Sequence, residues 1–354
     1  MATKKYIVLT KQEIFIKLAG DAKLGVINSL AKNPEIDNEI QSILLKGKSG
    51  GALCSLAMNP SVTKESIDAL VKIIESDAVL GSDVIIGFFF NVKLPKYVVK
   101  LITKSDYSSF DFMAIKSKAL SALEKQVCLK RMIKKDAYDH LLGNAAECDA
   151  LNEKQIDFLL AHEAENVRAS LAKNPIISEA AQLILAKDKS TIVRRRLAYN
   201  PALCAKLEEP LSKDEDDDVK YILAQNLKSR TPQAVNKNAK VDYVNVLKNG
   251  DDDELIKLGL DINTPPDVIE LLCAKYDPAY DNLVSVVLAR NPHVSMDRLS
   301  GISKSKNPMV LEALAANPLV NLEILTLLSK NKDQNVRRVV ANPGHYEGPR
   351  FTLS

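Results

Sequence analysis

The amino-acid sequence predicts an all-α protein: a right-handed α-solenoid of about twelve short helical pairs, each of roughly 26 residues. Three observations predict it. Asn-Pro follows a short apolar segment at Asn33, Asn59, Asn174, Asn200, Asn291, Asn317 and Asn342, and the intervals 33–59, 174–200 and 291–317 are each 26 residues. Apolar residues after each dipeptide recur at helical spacing. Only 5% of the 354 residues are aromatic and none is Trp, against 46% hydrophobic overall, so small aliphatic side chains build the interior.

Each unit reads as two helices joined at a corner. Asn favours the N-cap and Pro the first helical position, so Asn-Pro is expected to begin one helix while stopping the one before it. In "NPIISEAAQLILAKD" the residues Ile177, Ala181, Ile184 and Leu185 share a helix face. A turn of Asp, Lys and Ser follows, then a short helix, "TIVRRRLAYN", that buries Val193, Leu197 and Ala198. Weaker copies fill the gaps: "FFFNVKLP" at Asn91, "IKSKAL" near Lys118, "LLGNAAE" at Asn144, "ILAQNLK" at Asn226 and "GLDINTPP" at Asn263. The long interval between 226 and 263 marks an irregular insertion at about 229–250, and a Gly/Pro-rich cap covers 343–354. No pair buries enough apolar surface alone, so the pairs are expected to stack as one domain over 1–354. Three successive phenylalanines, Phe88 to Phe90, cannot all face inward, and at least one is expected to be exposed.

The totals exclude several classes. The formal net charge of +3 is mild and does not itself demand a nucleic-acid partner. Five separated cysteines, Cys54, Cys128, Cys148, Cys204 and Cys273, form no C-x-x-C pair, which argues against zinc or iron–sulfur sites and suits a reducing cytoplasm. The N-terminal stretch reads as neither signal peptide nor anchor, and "VIIGFFF" is too short to span a bilayer. His140, His162, His293 and His345 fall in separate repeats, so no metal or cofactor is expected.

The segments "VRASLAKNP", "LILAKD" and "VRRRLAYNP" resemble the leucine-rich repeat variant and, more broadly, HEAT-like repeats. The resemblance is strongest over 160–226 and 284–343 and carries architecture, not function. It implies that the short-helix layer lines a concave face.

On that layer, Arg195, Arg196 and Tyr199 are expected to point outward, as are Asp139, His140 and Gly143, then Ala169, Ser170 and Lys173, then Tyr221 and Gln225. Earlier units add Asn28, Ser29, Lys32, Cys54, Ser55 and Met58. Arg168, Arg194 and Lys220 each stand six residues before an Asn, with Arg337 and Arg338 in the last unit. Asp188 lies six residues before Arg194 and Asp333 four before Arg337, which suggests structural Asp–Arg pairs at Arg168, Arg194 and Arg337 that tie one helix to the next turn. Cationic residues along a groove can track phosphates while tyrosines stack on bases. A weaker resemblance is to HEAT-like-repeat DNA glycosylases, though these often set tryptophan against DNA. It implies a catalytic carboxylate, assigned to Asp139, with Lys173, Arg194, Arg195, Arg196, Tyr199, Tyr221 and His140 contacting duplex DNA. The alternative is a non-enzymatic scaffold that binds a protein on the same face, and a monomer is expected under either reading. The tail adds Arg350, His345 and Tyr346 as contacts, and the acidic run at 213–218 reads as a solvated turn.

Overall fold

In the computed structural model, which describes residues 7–134, 138–230, 242–275 and 283–346, the chain is helical throughout, with no strand among the described residues. It divides into two compact units: residues 1–88 together with 238–354, and residues 89–237.

The second unit shows how one repeat is built. Helix Glu165–Ala172 buries Val167, Leu171 and Ala172, and also Arg168 and Ala169. At its end Asn174 is buried, and its Nδ2 donates to the carbonyls of Ala146 (2.8 Å) and Cys148 (2.9 Å) in the preceding repeat. Its Oδ1 accepts the Ile176 N–H at 3.1 Å, closing a tight local turn. The next helix begins only at Glu179, capped by Ser178, whose hydroxyl accepts the Ala181 N–H. It buries Ala181, Gln182 and Leu185, while Ile184 is exposed. A turn then leads to helix Thr191–Ala198, with the Asp188 carboxylate accepting the Ser190 N–H at 2.8 Å.

The expectation that Asn-Pro begins a helix is therefore corrected. The asparagine is a buried cross-link between repeats, and the helix starts five residues later behind its own cap: Asp37, Thr63, Ser178 or Asn321. The reason is that its amide has two donors, and a cap uses only the oxygen. Asn59, Asn200, Asn226 and Asn317 repeat the pattern, each bonding carbonyls 28 and 26 residues earlier. Among the described residues, Pro308 alone opens an α-helix from an Asn-Pro dipeptide, with Asn307 as cap; Asn342-Pro343 opens a single 3-10 turn.

Two weaker copies shift. Ser117, not Lys118, fills the asparagine place, its hydroxyl donating to the Phe89 carbonyl 28 residues earlier. Asn144 instead bonds the His140 carbonyl within its own helix. Phe88 and Phe89 are buried and Phe90 is exposed. Most of the insertion, 231–241, and the tail from 347, including Arg350, lie outside the described residues, as does the side chain of His345.

In the second unit the short helices Asp139–Ala146, Glu165–Ala172, Thr191–Ala198 and Asp217–Arg230 each pack on the next. In the first unit the corresponding order runs Asp252–Leu260, Leu283–Arg290, Pro308–Ala315, Gln334–Ala341, then Leu24–Ala31 and Gly50–Met58. The last repeat thus packs on the first.

Candidate binding surface on the short helices of residues 139–230

The four short helices of this unit begin at Asp139, Glu165, Thr191 and Asp217, 26 residues apart, so positions compare directly. The fifth positions are Gly143, Ala169, Arg195 and Tyr221; the sixth are Asn144, Ser170, Arg196 and Ile222; the ninth are Glu147, Lys173, Tyr199 and Gln225. Tyr199 and Tyr221 are 60% and 64% exposed, which leaves both rings available to a ligand. Arg196 is exposed and Lys173 half-buried, and neither makes an ion pair among the described residues. Ala169 and Gly143 are buried between neighbouring helices, which corrects their outward placement.

The fourth position belongs to the core. Arg168 is buried, with Nε and Nη2 on the two oxygens of Asp188 (2.7 and 3.0 Å) and Nη1 on the carbonyls of His162 and Glu163. Arg194 repeats this with Asp214 (2.8 and 3.1 Å), and its Nη1 donates to the Asp188 carbonyl. Asp188 therefore does not pair with Arg194 through its carboxylate. Each arginine reaches 20 residues forward to the turn of the next repeat, because a guanidinium fork needs both oxygens of one carboxylate and the following turn presents them squarely. The bond from Arg194 is the main cause that holds the Asp214 carboxyl below its ordinary value.

Arg195 is also engaged. Its Nε and Nη2 lie 3.1 and 2.8 Å from the oxygens of Asp216, and Nη2 lies 2.9 Å from Asp218. This fork lowers the Asp216 carboxyl to about 2. The acidic run is thus not a merely solvated turn: Asp214 and Glu215 meet Arg194, Asp216 and Asp218 meet Arg195, and Asp217 meets Lys220 at 2.7 Å.

Asp139 starts its helix, exposed, with its Oδ1 4.0 Å from His162 Nε2. A shallow cleft of about 510 Å³ joins them with Phe158 and Glu163. His140 faces solvent and stacks on Tyr138, ring centres 5.8 Å apart. Packed helices lie about 8–10 Å apart, so three steps separate the Asp139 and Tyr221 helices by about 25–30 Å. Asp139 and the tyrosines share a layer without sharing a pocket.

Sequence reasoning missed Asp214, Asp216 and His162 as the partners that decide these charges. The signal for the first was the repeated Arg-to-Asp interval of 20 residues, 168 to 188 and 194 to 214. Comparison with family models, curated proteins and solved structures finds no match for this chain. No helix among the described residues is long and apolar enough to cross a membrane.

Proposed function

We propose that this chain is a non-enzymatic helical-repeat binding protein, a right-handed solenoid of about twelve helical pairs, that takes a polypeptide along the short helices of residues 139–230. The alternate packing of helices within each unit supports that architecture. The observation that carries the functional reading is the neutralisation of Arg194 and Arg195 by Asp214, Asp216 and Asp218, which sets carboxylates where a phosphate backbone would run. What stays open is Tyr199, Tyr221, Ile192 and Arg196. Exposed tyrosines beside arginine supply the large, partly apolar anchors that protein interfaces use. Cytoplasmic residence belongs to the same reading, supported by five free cysteines, and a monomeric state belongs to it as well.

The second reading is duplex DNA binding, with base excision at Asp139. It is favoured by Lys173 and Arg196, cations without ion-pair partners among the described residues, placed beside Tyr199. Against excision stand the three helix steps between Asp139 and Tyr221, too far for one flipped base to meet both.

Peptides selected on the immobilised protein from a displayed random library, then measured by calorimetry, separate the two. Polypeptide binding predicts ligands whose affinity falls at least tenfold on Tyr199→Ala or Tyr221→Ala. A mobility shift with duplex DNA that weakens steeply with salt and disappears in Arg196→Ala, without such peptides, transfers the conclusion to DNA. Abasic sites appearing in modified DNA with the wild type and lost with Asp139→Asn establish excision.

A further inference from the structure

The first and last repeats of the chain meet inside one unit, and their contact repeats the Arg–Asp fork and the asparagine-to-carbonyl bond of the joint between consecutive repeats. Arg337 Nε and Nη2 lie 2.6 and 3.0 Å from the two oxygens of Asp21, and Nη1 donates to the carbonyls of Asn331 and Lys332. Arg168 does the same with Asp188 and the carbonyls of His162 and Glu163. Asp21 also accepts the Lys23 N–H at 2.8 Å, as Asp188 accepts that of Ser190. Asn33 Nδ2 donates to the Ala341 carbonyl at 2.7 Å, the bond that Asn59 makes to Ala31. Ser29 adds a bond to the Arg338 carbonyl, and the Leu9 N–H one to Thr326 Oγ1. Asp21 is held below the ordinary carboxylate range despite burial, which works against it, because Arg337 bonds both its oxygens.

We propose that the faces of helices Gln334–Ala341 and Leu24–Ala31 form a clasp that is also the chain's self-association surface: closed, each face caps the other, and opened, each takes the matching face of a second copy. Nothing in the joint distinguishes residues of the same chain from residues of another copy. Closure within one chain wins only through effective concentration, of order millimolar for tethered partners, above the micromolar concentrations of a protein in solution. Such an exchange of identical elements between copies is domain swapping, and it needs no new chemistry. The clasp thus does for the end repeats what a polar capping repeat does in an open array.

Two charge reversals test it on the full chain. Asp21→Lys sets a lysine against Arg337, and Arg337→Glu sets a glutamate against Asp21, so each variant alone repels at its own seam and at any seam with itself. Co-refolded in equal amounts, the two can exchange so that the introduced lysine meets the introduced glutamate at one seam, while the native Asp21 and Arg337 meet at the other. Light scattering after size exclusion should then show a species of twice the chain mass, absent from either variant alone. The double variant, which matches its own charges, should be monomeric and regain most of the urea midpoint lost by the singles. Two outcomes overturn the proposal: only monomers in the co-refolded mixture, or a double variant no more stable than the weaker single. The double variant keeps the test decisive if a single variant does not fold.

Discussion

Replacing Asn200 by Ala tests the joint between repeats most directly. Asn200 is fully buried, and its amide donates to the Ala172 and Asn174 carbonyls at 2.8 and 2.9 Å while accepting the Ala202 N–H at 2.8 Å. Alanine removes all three bonds and leaves two buried carbonyls, and the N–H of the more exposed Ala202, without them. A hydrogen bond contributes about 1 kcal/mol net, and stranding a buried polar group costs about 1–3 kcal/mol. Part of that cost is relieved where a carbonyl keeps another donor, so the loss should be about 3–5 kcal/mol. Ser178→Ala is the control, because Ser178 caps the neighbouring helix through a single 3.3 Å bond to the Ala181 N–H. A lost cap of that kind costs about 1 kcal/mol. Urea unfolding followed by circular dichroism gives both numbers; at unchanged slope, the midpoint shift for Asn200→Ala should be at least three times that for Ser178→Ala. Equal shifts would refute the cross-link and return the asparagine to the role of a helix cap.

Acid should weaken the second unit through its Arg–Asp forks. Asp214 is held low chiefly by Arg194 and Asp216 is lowered to about 2 chiefly by Arg195, while Asp188 is lowered by Arg168 against the opposing effect of burial. A carboxyl depressed in the folded state contributes stability above its unfolded value, about 4, and loses it as pH falls through the folded value. The urea midpoint should therefore drop between about pH 4 and pH 2, less steeply in Asp214→Asn; an identical slope in that variant would show the pair carries none of the effect. In the first unit, Gly87→Ala would put a Cβ 2.3 Å from the Cys54 carbonyl oxygen and 2.6 Å from the Ala57 Cβ. Overpacking of this kind costs about 1–3 kcal/mol, whereas Gly301→Ala, with nothing within 4 Å, should gain about 0.5–1 kcal/mol from helix propensity. Thermal melts that rank the two the other way would refute this packing.

The helical class and the 26-residue joint are legible in the sequence because apolar spacing and Asn-Pro act locally. What Asn does is not, since cap and cross-link call for the same residue; only the donors of its amide, which need a neighbouring repeat, separate them. The short helix at 191–198 is legible for Val193, Leu197 and Ala198, which are buried, and for Tyr199 and Arg196, which are exposed. Ala169 defies the same spacing because one face of a short helix touches the repeats on both sides, so small residues at its flank vanish between helices. The partner of Arg194 lies 20 residues onward, beyond the reach of any helical periodicity, and Asp21 lies 316 residues from Arg337.

The same interval separates charges that hold the repeats together from charges left for a ligand. At the fourth helix position, arginine recurs at 168 and 194, and in the last repeat at 337; each is buried or half-buried in a fork with a carboxylate of the adjoining repeat. Lys220 occupies that position in the next repeat and pairs within its own helix, with Asp217. A charge that repeats with the architecture is explained by the architecture, and its neutralising partner repeats with it. Arg195 does not recur at its position, yet the acidic run adds Asp216 and Asp218 against it. At the sixth and ninth positions the residues change from repeat to repeat, Asn144, Ser170, Arg196 and Ile222, then Glu147, Lys173, Tyr199 and Gln225. Side chains that neither follow the period nor find an ion-pair partner have no structural task that the repeat imposes. Arg196 and Tyr199, adjacent in space at the exposed end of one helix, meet both conditions, and for that reason a ligand on this layer should be sensitive to them before any other pair.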